Sequence, residues 1–97
     1  MQINFGHINS SLGTRVLGKK LRLEIEESLR NDGFVIFNFE GVNTVSHSFA
    51  DECFGKLLLS WNIEELKAKS TFQNTNALIK KTVAFTLKER ASEMALA

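Results

Sequence analysis

Apolar side chains along this chain repeat with two different periods. In residues 34–40, FVIFNFE, they alternate, with Phe34, Ile36, Asn38 and Glu40 on one face and Val35, Phe37 and Phe39 on the other. That period, with its β-branched and aromatic content, predicts a strand. The Asn31-Asp32-Gly33 run just before it reads as a turn. Upstream, Leu17, Leu21, Ile25 and Leu29 recur every four residues among charged neighbours. This predicts a helix over residues 14–31, with Thr14 as its cap. Ala50, Cys53, Phe54, Leu57, Leu58 and Trp61 then follow helical spacing without a break and predict a single second helix. STFQN, residues 70–74, reads as a short strand. Asn76 suits the cap of a last helix running from Ala77 to about Ser92. Ile79, Val83 and Leu87 stripe that helix, with Leu78 and Phe85 alongside, and core packing is the favoured role for all of them. The first residues, QINFGHI, could supply an edge strand.

The predicted order is β-α-β-α-β-α. Strands alternating with helices imply an α/β fold with a mostly parallel sheet of three to four strands and helices packed on it. The 97 residues are expected to form one domain, 1–97, with no linker. A chain of this size buries roughly 60–70% of the surface it exposes when unfolded, enough for one modest core.

Composition narrows the function classes. Twelve basic and eleven acidic side chains give a formal charge of +1. That balance offers no electrostatic pull toward nucleic acid or an anionic membrane. No apolar run is long enough to span a bilayer, and MQINFGHINSS lacks the pattern of a signal peptide. Cys53 is the single cysteine, which excludes an internal disulfide and a cysteine metal cage and fits a reducing cytoplasm.

Candidate chemistry concentrates in SHSFADECFG, residues 46–55. Ser48-Phe49-Ala50-Asp51 matches a capping box, with Asp51 and Glu52 in the first helical turn. A catalytic serine needs an oriented base, and the adjacent Ser46, His47 and Ser48 do not supply one; the glycines of a nucleophile elbow are also missing. His47, Asp51, Glu52 and Cys53 lack metal-ligand spacing, so neither a metal nor a cofactor is expected. A serine at the start of a helix is reachable by a kinase, and an added phosphate would be favoured by free backbone N–H groups but opposed by Asp51 and Glu52.

The stretch V-I-F-N-F-E-G-V-N-T-V-S-H-S-F-A-D-E-C-F-G-K-L resembles the STAS-like family of uncharacterised bacterial domains. L-G-T-R-V-L-G-K-K-L-R resembles that family's first helix, and F-Q-N-T-N its last strand and following loop. Asn38 is a departure, where the family pattern leads one to expect an aspartate. More distantly the chain is similar to the STAS domains of anti-sigma factor antagonists. The resemblance implies a non-enzymatic regulatory module that binds a protein partner, a histidine-kinase-like ATPase acting as serine kinase. It places Ser48 on the phosphorylated serine, with Ser46, His47, Asp51 and Glu52 shaping the partner-contact surface; Arg15 is a candidate for the same surface, with a solvated cation at the helix start as its favoured reading. The runner-up is a small-ligand or nucleotide sensor, its loops around Asn43, Thr44, Asn74 and Asn76 lining a pocket beyond the strand ends. A structural component of a larger assembly is the third reading. The sequence leaves the oligomeric state open.

Overall fold

A computed structural model describes residues 1–31 and 33–96. Among the described residues it contains five short strands and four α-helices. Strand β1 is Gln2–Asn4 and is followed by a 3-10 turn at Phe5–His7; β2 is Ser11–Leu12 and α1 is Arg15–Arg30. Next come β3 at Val35–Asn38, β4 at Thr44–Val45 and α2 at His47–Cys53. A 3-10 segment at Gly55–Leu59 leads to α3 at Ile63–Lys69, then β5 at Ser70–Gln73 and α4 at Ala77–Leu96.

The strands form two parallel sheets rather than one. The larger has the order β1-β3-β5, and the smaller joins β2 to β4. In the larger sheet Ile3 lies opposite Phe37, and Phe37 opposite Phe72. Pleating turns Ile3, Val35 and Phe37 into the core beneath the helices. The other face carries Gln2, Asn4, Ile36, Asn38, Thr71 and Gln73, half-buried or exposed. The plain β-α-β-α-β-α order is therefore replaced by a more divided one. The second sheet and α3 are the additions, and each strand of the smaller sheet spans two residues, too short for its alternation to stand out in the sequence.

Phe54 is the centre of the core. Its ring lies 5.1 Å from that of Phe37, edge-on, 5.5 Å from Phe72 and 6.0 Å from Phe5, while Phe5 stacks on Phe39 at 4.6 Å. Each such pair adds about 0.5–1.5 kcal/mol beyond the burial of the rings. Leu21, Ile25 and Leu29 of α1 are buried, and Thr14 accepts the Leu17 N–H at 3.2 Å, as the four-residue stripe and the threonine anticipate. Asn76 accepts the Ile79 N–H at 2.8 Å and so caps α4.

The expected second helix is broken. All its periodic positions from Ala50 to Leu58 are buried, but the α-helix stops after Cys53 and the chain tightens into the 3-10 segment. A separate α3 starts behind a capping box in which Asn62 and Glu65 exchange side-chain-to-backbone bonds of 2.8 and 3.2 Å. Leu78 and Phe85, expected in the core, are 54% and 56% exposed. Asp32 of the anticipated turn lies outside the described residues.

Candidate functional site

The loop 43–46 is fixed by backbone pairing to the loop before α1. Asn43 N–H donates to Ser10 O at 2.9 Å and Ser46 N–H to Leu12 O at 2.8 Å, extending the β2–β4 pair. The Ser46 hydroxyl donates to Gly13 O at 2.9 Å and accepts from Phe49 N–H at 3.0 Å. Ser46, not Ser48, is thus the cap of α2. The capping box read from Ser48 does not form: the chain is already helical at His47, the cap lies two residues earlier, and Phe49 at its third helical position has no side-chain acceptor to complete a box.

Ser48 consequently lies within the first turn of α2, half-buried, and its hydroxyl forms no hydrogen bond to other described residues. His47 beside it is half exposed. Its Nε2 lies 3.4 Å from Glu89 Oε1 on α4, and its ring meets the Phe85 ring edge-on at 5.7 Å. Val16, near the start of α1, is 83% exposed, the most of any large apolar side chain among the described residues.

One turn further along α2 the environment changes sign and character. Asp51 is 5% exposed and Glu52 6%. These carboxylates face inward, where an acidic partner-contact surface had been expected. Arg90 of α4 grips Asp51 with two bonds, Nε to Oδ1 at 2.7 Å and Nη2 to Oδ2 at 2.8 Å. Arg15 of α1 adds a third from Nη1 to Oδ2 at 3.0 Å. Glu52 pairs with Arg22 of α1, which also donates to the Glu52 carbonyl at 2.7 Å, and with Lys56 at 3.0 Å. Arg15 is half exposed, and its charge is directed into this cluster.

The titration behaviour follows from these partners. The Arg90 hydrogen bonds lead in holding the Asp51 carboxyl down at about 2, against the opposing effect of burial and with help from Arg15. Burial raises the Glu52 carboxyl, but the bonds from Arg22 and Lys56 outweigh it and leave the group below its ordinary value. Arg90 is pushed up by the Asp51 hydrogen bonds. Cys53 is fully enclosed, and burial drives its thiol pKa far upward, which removes its nucleophilic form at neutral pH.

Two glycines make this cluster sterically attainable. A Cβ on Gly18 would stand 3.0 Å from Glu52 Cβ and 3.1 Å from Phe49 O, so α1 and α2 approach closely there. A Cβ on Gly55 would stand 2.8 Å from Asp51 Oδ1 and 3.1 Å from Arg90 Cγ. Gly55 leaves the space through which Arg90 reaches its partner. Sequence reading missed Arg22, Lys56 and Arg90 entirely. Lys56, four residues after Glu52, was the one local signal available; the arginines come from other helices.

The residues of the ligand-sensing reading are partly occupied by the fold. Asn76 donates to Asn43 O at 2.9 Å while capping α4, and Asn74, in a left-handed conformation at φ 57°, donates to Asn38 Oδ1 at 2.8 Å. Thr44 belongs to β4. Among the described residues no group of three or more His, Cys, Asp or Glu could hold a metal ion, and no helix is long and apolar enough to cross a membrane.

A family model for a STAS-like domain of unknown function matches residues 18–80, about two thirds of the chain. No curated protein and no solved structure matches.

Proposed function

We propose, for a chain that belongs to this STAS-like domain family of unknown function, a non-enzymatic regulatory role: it binds a protein partner over the start of α2, and phosphorylation of Ser48 switches that contact. The partner class is a histidine-kinase-like ATPase acting as a serine kinase, as in the anti-sigma factor antagonists the sequence resembles. The observation that carries the reading is the state of Ser48. Its hydroxyl has no hydrogen bond among the described residues, whereas Ser46 two residues earlier is committed to the cap. Modifying the Ser48 hydroxyl therefore breaks no hydrogen bond among the described residues. His47, next to it in the chain, is partly exposed and meets the ring of the exposed Phe85, and the two offer a mixed polar and apolar surface.

A phosphate at this position would add about −1.5 to −2 charges one helical turn ahead of Asp51 and Glu52. Those carboxylates are already neutralised by arginines and lysine, which reduces the repulsion expected from the sequence. The test is to incubate the protein with ATP and a cognate kinase-like ATPase and to locate phosphate by mass spectrometry. Phosphate on Ser48, with partner binding lost on modification, is the expected result. An unmodified Ser48, with partner binding unchanged in Ser48→Ala, would remove the switch.

A further inference from the structure

The β5 strand forms one edge of the three-stranded sheet. Gln73 O accepts from Phe39 N–H at 2.9 Å, so Gln73 faces β3. The alternate residue, Phe72, then turns its N–H and C=O to the open side, and neither has a backbone partner beyond the sheet among the described residues. Beside this edge, on the helix-covered side, runs an apolar trough. One part, about 320 Å³, lies among Ile63, Leu66, Phe72 and Leu87. A second, about 220 Å³, continues past Phe72 and Leu87 to Val83 and Ala84. The charged side chains lining the two parts are Lys67 and Lys80, both cationic.

We propose that the open edge of β5, with this trough, receives an extended segment of a partner protein as an added strand, its alternate side chains apolar and its flanks acidic. An unpaired edge supplies main-chain bonds, and a neighbouring groove selects alternate side chains; together these are the requirements for strand addition. The two lysines select carboxylates on the incoming chain. They also disfavour a second copy, because symmetric pairing of β5 with itself would bring the same lysines together. This surface is separate from the start of α2 and does not depend on Ser48.

The test uses the ¹⁵N-labelled chain and synthetic peptides of alternating valine and threonine, flanked either by paired glutamates or by paired lysines. The glutamate-flanked peptide should shift the Phe72 amide resonance and slow its hydrogen exchange, binding roughly tenfold tighter than the lysine-flanked one. The doubly reversed chain, Lys67→Glu with Lys80→Glu, should invert that preference while keeping its own spectrum folded. Three results would overturn the proposal: no response of the Phe72 amide to either peptide, shifts of trough methyl groups without amide protection, or protection that grows with protein concentration alone. The second would make the trough a small-molecule site, and the third an interface between copies.

Discussion

In α2 two successive turns carry polar side chains of similar kinds in different surroundings. The first holds an exposed His47 and a half-buried Ser48, and Ser48 has no hydrogen bond to the rest of the described chain. The second holds Asp51 and Glu52 almost wholly out of solvent, each gripped by cations from elsewhere in the fold. Position on the helix decides the difference. Ser48, Asp51 and Glu52 stand at i, i+3 and i+4 and share one side of the helix, but Asp51 and Glu52 lie a turn deeper, where cations from α1 and α4 reach them, while Ser48 stands where the helix has just emerged from its cap. A run of polar residues is thus divided into one part that is partly open to solvent and one that holds three helices together.

The largest effect should come from the inner turn. Asp51→Ala leaves Arg90 and Arg15 without their shared carboxylate; both arginines keep some access to water, so the cost falls below that of a fully buried broken pair, at about 2–3 kcal/mol. Urea unfolding should show it as a lowered midpoint; a loss below about 1 kcal/mol would mean that the cluster is ornamental.

Acid should reproduce part of that loss. Asp51 titrates at about 2 in the folded chain against 3.8 ordinarily, chiefly because Arg90 bonds the ionised form. A depressed carboxyl stabilises fully above its unfolded value, and that stabilisation disappears as the pH falls from about 4 to about 2. The contribution is about 2 kcal/mol. Stability measured across that range should fall less steeply in Asp51→Asn than in the native chain.

The outer turn should separate the two serines. Ser46→Ala removes the α2 cap and the link to Gly13, at a cost of about 1 kcal/mol. Ser48→Ala should change stability by no more than about 0.5 kcal/mol. Melting temperatures in the reverse order would erase the distinction between a structural and an available hydroxyl.

Much of the fold was legible where periodicity is long and local. The stripe of α1, the alternation of β3 and the caps at Thr14 and Asn76 needed only near neighbours. The start of α3 left a local signal in the capping-box spacing of Asn62 and Glu65, but it was missed because the unbroken apolar stripe from Ala50 to Trp61 pointed to one helix. The inner turn of α2 was not legible. Asp51 and Glu52 look like helix-start acids until Arg15, Arg22 and Arg90 arrive from other parts of the chain, and no local pattern announces that arrival. The matched stretch, 18–80, contains both carboxylates but neither Arg15 nor Arg90. A fragment trimmed to it would leave Asp51 without either arginine that bonds it.

The complete enclosure of Cys53 has a practical consequence. The native sulfur is shielded from maleimide dyes and spin labels while the fold is intact. A cysteine introduced elsewhere on the surface would then be the single attachment point for a reporter, with no need to remove the original.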